Sequence, residues 1–134
     1  VFSRDTVFAR MTLSEDELGL YSTIYNALVE QIPQPDLVVY LRARPETLMD
    51  RVRLRGKDYE AAMTIDYLRE LCGIYEEFFH HYDDTPLLTL DTDEFDYRSD
   101  PAELSRVCDL VLETLNRHIR AKETGSIAPQ ELPA

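Results

Sequence analysis

Glycine is scarce in this sequence. The four glycines lie far apart, at Gly19, Gly56, Gly73 and Gly125. A loop that cradles phosphate groups with its backbone amides needs clustered glycines, typically in the form GxxxxGK[ST]. No stretch of these 134 residues has that form. A glycine-rich phosphate loop is therefore excluded from this segment of chain.

Long apolar runs are also missing. No run of 18 apolar residues occurs, and the first residues lack the basic-then-apolar pattern of a secretory signal. The two cysteines, Cys72 and Cys108, both fall in stretches with helical apolar periodicity. This pattern predicts buried thiols in a reducing compartment rather than a disulfide. We therefore expect a cytoplasmic protein that does not act on membranes.

Basic residues are few but concentrated. The chain has 14 Lys and Arg residues against 26 Asp and Glu, a net charge of -12, which argues against a nucleic-acid partner or a membrane surface. With 44% hydrophobic and 30% charged residues, the chain is typical of one compact globular domain. Four of the basic residues nevertheless lie between Arg51 and Lys57. This basic cluster is sized for a small anion.

Apolar periodicity and capping signals predict five helices and two strands. Ser14 and Glu17 form a capping-box pattern, and Pro45 suits the first position of a helix. The predicted helices cover about residues 1–10, 15–31, 45–55, 64–82 and 101–121, and the strands cover 37–41 and 87–90. One apolar face of the second helix is expected to be buried. Its members are Leu18, Tyr21, Ile24, Tyr25, Leu28 and Val29.

The two predicted strands have the composition of interior strands in a parallel sheet. Each is a short, almost continuous apolar run, which indicates cover on both faces. A parallel sheet of this kind needs more than two strands, and the sequence offers no further candidates. We therefore expect an α/β unit that forms the C-terminal part of a larger domain. Residues 122–134, with one glycine and two prolines, are expected to be a flexible tail.

The spacing of the basic cluster suits phosphate binding. On a helix, Arg51 lies one turn from Arg55, so their side chains share a face, and Gly56 allows the backbone to bend beyond them. An arginine fork can donate two parallel hydrogen bonds to phosphate oxygens. A basic flap of this kind neutralises charge and excludes water during phosphoryl transfer. The alternative is a solvated helix face whose cations pair with neighbouring carboxylates.

No metal site is predicted. His80 and His81 are sequence neighbours, so they point to different faces of a helix, and no cluster of further ligands accompanies them. The acidic residues from Asp91 to Asp96 lack the central glycine and terminal glutamate of a calcium-binding EF-hand loop. A solvated acidic loop is expected instead.

Three stretches together resemble the deoxynucleoside kinase family. They are PDLVVYLRARPETLMDRVRLRGKDYE, IDYLRELCGIYEEFF and LLTLDTDEFDY, and the similarity covers about residues 1–115. The resemblance implies an α/β, P-loop-kinase-like three-layer fold with a parallel sheet, of which this chain supplies about two strands. Residues 1–121 would be the C-terminal part of the kinase domain. The implied activity is transfer of the γ-phosphate of ATP to a deoxynucleoside 5′-hydroxyl with Mg²⁺.

The resemblance also implies roles for individual residues. Residues 51–60 match the family's lid, in which Arg51, Arg55 and Lys57 would contact the nucleotide phosphates. Glu60 matches the glutamate that holds the sugar 3′-hydroxyl. The family usually has arginine at the position of Lys57, so a two-pronged donor is replaced here by a point charge.

Further matches concern the base, the phosphate donor and the dimer. Phe8 aligns with the aromatic residue that stacks on the substrate base, and Arg4 and Asp5 lie where base-selecting side chains are found. Several relatives carry these two residues in the opposite order, which leaves the base preference open. Asp96 and Tyr97 match the loop that lines the adenine of the donor. The helix over 15–31 resembles one at the family's dimer interface, so a homodimer is expected.

Other departures bear on activity. The link from Met11 to Ser14 is shorter than the family pattern. The family's phosphate loop, its general-base carboxylate and the arginine next to that carboxylate have no counterpart in these residues, so the 134 residues are expected to be inactive alone. Two alternatives remain open: a nucleoside-monophosphate kinase of the thymidylate kinase type, and a non-catalytic fragment that dimerises.

Overall fold

The fold alternates helices with two short strands. A computed structural model describes residues 2–58, 62–94 and 98–125. The elements are α1 (Phe2–Thr12), α2 (Glu15–Val29), β1 (Val38–Arg42), α3 (Pro45–Arg55), α4 (Ile65–His80), β2 (Leu87–Asp91) and α5 (Pro101–Thr124). This order of five helices and two strands confirms the order that the sequence predicts. The chain divides into two compact units, one of residues 1–34 and 63–81 and one of residues 35–62 and 82–134.

The first unit contains α1, α2 and α4, and its core lies where α1 packs on α4. Val7 is fully buried, and Ala9 and Leu68 are nearly so. Helix α4 begins where the Thr64 hydroxyl accepts a hydrogen bond from the amide of Tyr67 at 3.2 Å. This side chain satisfies an amide that has no partner within the helix.

Helix α2 starts as predicted. The Ser14 hydroxyl accepts from the amide of Glu17 at 3.3 Å, and the Glu17 carboxylate accepts from the amide of Ser14 at 3.3 Å. This reciprocal pair is a capping box. The Ser14 hydroxyl also donates to the Glu17 carboxylate at 2.7 Å, and this bond, followed by the bond from the Ser14 amide, lowers the pKa of Glu17. The helix ends at Val29, two residues before the predicted end at Gln31.

The predicted buried face of α2 is wrong for the described part of the chain, in which no residue of this helix is buried. Helix α1 lies beside α2, and the hydroxyls of Thr6 and Tyr21 are 3.4 Å apart. Ile24 and Leu28 nevertheless remain 51% and 46% exposed, and the neighbouring Leu20 is 64% exposed. The periodic apolar residues Leu20, Ile24 and Leu28 therefore form a stripe along α2 that α1 does not cover.

The second unit is built on a parallel pair of strands. In the register of this pair, Val38 is opposite Leu87 and Arg42 is opposite Asp91. Among the described residues the sheet consists of these two strands, in the order β1-β2. Parallel strands end at the same edge, so the residues after Arg42 and after Asp91 emerge together. The Arg42 and Asp91 side chains form an ion pair there at 3.7 Å. In open α/β sheets this carboxyl edge is the usual place for ligands.

Helix α3 leaves that edge and ends in a glycine cap. Pro45 occupies the first turn, where its missing amide hydrogen costs nothing. Gly56 adopts the left-handed conformation with φ 63°, and its amide donates to the carbonyl of Val52 at 3.2 Å. Glycine takes this conformation without strain, which explains how the helix stops directly before Lys57.

Helix α5 continues to Thr124, beyond the predicted end at about Ala121. Lys122 is therefore helical rather than the start of the tail, and Gly125 caps the helix with φ 61°. The predicted tail beyond residue 125 lies outside the described residues. Cys108 on this helix is exposed, so its predicted burial is wrong, whereas Cys72 is half-buried; neither is in a disulfide. Among the described helices, none has the length and apolarity needed to cross a membrane.

Candidate functional site

Arg51, in the middle of α3, is held by the residue that follows β2. Its Nη1 donates to the Thr92 hydroxyl at 2.8 Å, and its Nη2 donates to the Thr92 carbonyl at 2.7 Å. Thr92 is only 1% exposed. Its hydroxyl donates in turn to the carbonyl of Arg42 at 2.9 Å, and its amide donates to the same carbonyl at 2.7 Å. Arg51, Thr92 and the end of β1 thus form one hydrogen-bonded network.

The next residue, Asp93, caps the start of α3 from a distant part of the sequence. Both carboxylate oxygens accept from the amide of Arg44, each at 3.1 Å, and the Arg44 Nε lies 3.5 Å from Oδ2. The Thr47 hydroxyl, the Arg44 amide and the Arg44 charge hold the pKa of Asp93 below its ordinary value, against the effect of desolvation. Arg44 is the N-cap residue and makes no side-chain cap itself; Asp93 accepts from the amide of this N-cap residue, as the N3 glutamate does in a capping box.

The last turn of α3 presents the remaining cations of the basic cluster. Arg53, Arg55 and Lys57 are all exposed, and Arg51 is half-buried. Arg55 lies four residues after Arg51 and so shares its helix face. Gly56 then turns the chain so that Lys57 follows outside the helix. Exposed cations at the end of a helix that starts from the carboxyl edge of a sheet suit an anionic ligand.

The predicted base-binding residues lie on α1 in the first unit. The Arg4 guanidinium carbon is 5.5 Å from the centre of the Phe8 ring, a cation–π contact. Arg4 and Asp5 are exposed, and Phe8 is half-buried. Tyr75 of α4 is also close enough for the Arg4 charge to influence its hydroxyl, although burial dominates and raises the pKa of Tyr75.

The structure thus brings the predicted site residues together in two groups. Arg51, Arg55 and Lys57 belong to the second unit, and Arg4, Asp5 and Phe8 belong to the first. The remaining predicted residues, Glu60, Asp96 and Tyr97, lie outside the described residues.

Thr92 and Asp93 are the residues that sequence reasoning assigned to a solvated acidic loop; the structure shows them hydrogen-bonded to Arg51 and Arg44. Their sequence signal is position: they directly follow a strand, at the edge where α/β sheets carry functional residues. Among the residues that the structure describes, no group of three His, Cys, Asp or Glu side chains could hold a metal ion.

Comparison with known proteins gives the family. The family model described as deoxynucleoside kinase matches residues 1–116. The deoxyguanosine kinase of Bacillus subtilis is 28% identical over 116 residues, which are 84% of this chain and 56% of that protein. The human deoxycytidine kinase is 30% identical over 94 residues, 61% of this chain and 36% of that protein. The chain spans about half the length of the curated relatives it matches.

A solved structure gives the fold. The chain is similar to a deoxyadenosine kinase from M. mycoides with bound dCTP, with a TM-score of 0.64 and 24% identity. The match covers 86% of this chain and 58% of the solved one. This similarity confirms the predicted α/β, P-loop-kinase-like fold class. Because the family model matches most of the chain, the chain belongs to the deoxynucleoside kinase family.

Proposed function

We propose that the protein is a deoxynucleoside kinase, which transfers the γ-phosphoryl group of ATP to the 5′-hydroxyl of a deoxynucleoside. The observation that carries this proposal is the family match over residues 1–116. The exposed cations that end α3 support it. Catalysis of this reaction depends largely on positioning and on neutralising phosphate charge, which is the chemistry these residues offer.

Arg55 and Lys57 are the proposed phosphate contacts. Both are exposed, and both lie at the end of a helix that starts from the carboxyl edge of the sheet. A polyphosphate such as that of ATP fits this cationic turn. Arg51 is proposed to share this task, because its bonds to Thr92 use only two of the five N–H donors of its guanidinium.

Mg²⁺ is the expected partner of ATP in this reaction, where it neutralises charge on the phosphates. The described residues offer no cluster of three His, Cys, Asp or Glu ligands for a metal ion.

Individual roles in substrate binding are proposed for residues of α1, of the lid and of the loop after β2. Phe8 would stack on the base, with Arg4 and Asp5 selecting it; one ring face of Phe8 has Arg4 as a neighbour. Glu60 would accept a hydrogen bond from the sugar 3′-hydroxyl. Asp96 and Tyr97 would line the adenine of the donor. These assignments rest on the family membership of the chain.

A homodimer through α2 is also proposed. Leu20, Ile24 and Leu28 are spaced by four residues and are each about half exposed or more. Four-residue spacing places them in one stripe along the helix. An apolar stripe of this kind is favourably covered by a second copy of itself across a two-fold axis.

The domain limits and the compartment complete the proposal. Residues 1–121 would belong to the kinase domain, with its lid at about residues 51–60, and the chain from residue 122 would be a tail that starts as the end of α5. Neither Cys72 nor Cys108 is in a disulfide, which suits the proposed location in a reducing compartment such as the cytoplasm.

An acceptor assay on the intact protein tests this function. Purified protein is incubated with ATP and Mg²⁺ and either a deoxynucleoside (deoxyadenosine, deoxyguanosine, deoxycytidine or thymidine) or thymidine monophosphate. We expect a 5′-monophosphate from at least one deoxynucleoside, no diphosphate from thymidine monophosphate, and no product when EDTA removes Mg²⁺. Preferential use of thymidine monophosphate would instead indicate the thymidylate kinase type. No transfer to any acceptor would favour a non-catalytic dimerising protein.

A further inference from the structure

Two consecutive residues after β2, Thr92 and Asp93, form hydrogen bonds with α3 at two places. Asp93 accepts from the Arg44 amide at the start of the helix, and its carboxylate also bonds the Thr47 side chain in the first turn. The hydroxyl and carbonyl oxygens of Thr92 accept hydrogen bonds from Nη1 and Nη2 of Arg51, near the middle of the helix. We call Thr92 and Asp93 the α3 anchor. Two attachment points fix both the position of a helix and its rotation about its own axis.

The anchor is itself held firmly. Thr92 is buried, and both its amide and its hydroxyl donate hydrogen bonds to the carbonyl of Arg42. The amide of Asp93 donates to the Asp91 carboxylate at 3.1 Å. Asp91 in turn pairs with Arg42 across the strand register. The anchor is thus part of the sheet edge, and α3 is fixed to that edge rather than only packed against it.

The geometry limits what Arg51 does. A guanidinium has five N–H donors in a rigid plane, and two nitrogens of Arg51 are committed to Thr92. Releasing them to bind a phosphate would leave the nearly buried Thr92 oxygens with fewer partners, which costs free energy. Arg55 lies one turn further along the same helix. The two arginines therefore share a helix face.

We propose that the α3 anchor acts through Arg51 to set the position of Arg55 and Lys57, so that Arg51 is a positioning residue for these two cations. This inference rests on the proposed phosphoryl transfer for its kinetic consequence, but the contacts that carry it are independent of that function. A displacement of about 1 Å at a reacting centre can cost about 100-fold in rate, so fixing the helix has a direct effect on turnover.

Four variants of the intact protein separate the two roles of Arg51. Thr92→Val removes the hydroxyl while keeping the shape, and Thr92→Ser keeps a hydroxyl. Arg51→Lys keeps the charge but cannot reach both Thr92 oxygens with a fixed fork. The fourth variant combines Thr92→Val with Arg51→Lys. Circular dichroism and a thermal melt first establish that each variant is folded.

The kinetic readout is kcat and KM for ATP and for the preferred deoxynucleoside. The proposal predicts that Thr92→Val and Arg51→Lys each lower kcat by about 10- to 100-fold with KM values nearly unchanged. Thr92→Ser should retain most of the activity, and the double variant should be no worse than the poorer single variant, because both changes break one network. A Thr92→Val protein with wild-type kcat, or an Arg51→Lys protein with only a raised KM for ATP, would overturn it.

Hydrogen exchange provides a readout that does not depend on catalysis. Backbone amides of residues 48–57 should exchange faster in Thr92→Val and in Arg51→Lys than in the wild type, and Thr92→Ser should resemble the wild type. Unchanged exchange in both variants would overturn the anchor even if the protein is a kinase. If the wild type transfers no phosphate, the proposed function fails, while faster exchange in the variants still supports the anchor.

Discussion

Asp93 caps helix α3 from 49 residues away in sequence: both of its carboxylate oxygens accept a hydrogen bond from the amide of Arg44 at 3.1 Å. The amide of an N-cap residue at a helix start has no partner in the helix itself, and the positive end of the helix dipole favours a negative charge there. The Asp93 side chain is only 12% exposed, so water is a poor substitute for its carboxylate as the acceptor of the Arg44 amide. Helix α3 is therefore stabilised by a contact that ties it to the end of β2.

Replacing Asp93 should reduce stability in a pH-dependent way. Asp93→Ala removes the cap and should lower the free energy of unfolding by about 0.5–2 kcal/mol at neutral pH. The pKa of Asp93 is lower in the folded state than its ordinary value, so its contribution is present above the ordinary pKa and is lost as the pH falls through the folded pKa. Urea unfolding at pH 7 and near pH 3 measures both effects.

Asp83→Ala is the matched control for Asp93, since Asp83 is an exposed aspartate of the same unit. It should unfold as the wild type does at both pH values. An Asp93→Ala protein that loses no more stability than this control at neutral pH would show that the carboxylate does not cap α3.

A charge on the exposed stripe of α2 should dissociate the proposed dimer. Ile24 is 51% exposed and lies at the middle of the stripe formed with Leu20 and Leu28. Ile24→Glu would place a carboxylate in an apolar interface, where burying an unpaired charge is unfavourable. Sedimentation velocity should show a dimer for the wild type and a monomer for this variant.

Ser22→Glu tests the specificity of that result, because Ser22 lies two residues from Ile24 and so on the opposite side of α2. It should leave the dimer intact. If the wild type sediments as a monomer at micromolar concentration, or if both variants behave alike, the α2 stripe is not the interface.

His118 should make the protein less stable in mild acid. This residue of α5 is 8% exposed, and burial, followed by the charges of Arg117 and Lys122, lowers its pKa below 6.5. Because the pKa of His118 is lower in the folded state, the folded protein binds a proton at this residue less readily than the unfolded protein does. Stability should therefore be highest above the unfolded pKa and fall as the pH drops through the folded pKa.

His118→Gln should flatten the pH dependence of the melting temperature between about pH 7 and pH 5, because glutamine does not titrate there. His80→Gln, at an exposed position on α4, serves as the control and should keep the wild-type profile. Identical profiles for the wild type and His118→Gln would argue against a buried neutral His118.

Glu60 should affect nucleoside binding rather than stability. Its carboxylate is proposed to accept a hydrogen bond from the sugar 3′-hydroxyl, and hydrogen bonds to charged groups contribute about 1.5–3 kcal/mol. Glu60→Ala should therefore raise the KM for the deoxynucleoside by about tenfold or more. The control Asp58→Ala, two residues earlier, should leave it near the wild-type value, and an unchanged KM in Glu60→Ala would contradict the sugar role.

Local signals in the sequence predict the local structure well. Ser14 and Glu17 form the capping box that starts α2, and Gly56 takes the left-handed cap that ends α3. The apolar runs predict two strands, which pair in parallel. Each of these features depends on residues close together in sequence, so a periodic pattern or a capping motif is enough to find it.

Non-local features could not be predicted in this way. The bonds from Arg51 to Thr92 and from Arg44 to Asp93 join residues more than 40 positions apart, and no local pattern encodes them. Apolar periodicity also indicates that a face is to be covered without indicating what covers it, which is why the burial predicted for the Ile24 stripe and for Cys108 was wrong.

The central claim is that the cations ending α3 handle the phosphates of a kinase reaction, and Arg55→Ala tests it most directly. The measurement is kcat and the deoxynucleoside KM for the intact protein, with Arg53→Ala as the control, since Arg53 is an exposed arginine of the same helix on another face. The prediction is a loss of kcat by at least about 100-fold in Arg55→Ala, with the KM largely unchanged and Arg53→Ala close to the wild type. An equal effect of the two substitutions, or an Arg55→Ala protein with wild-type turnover, would contradict the assignment of this turn to phosphoryl transfer.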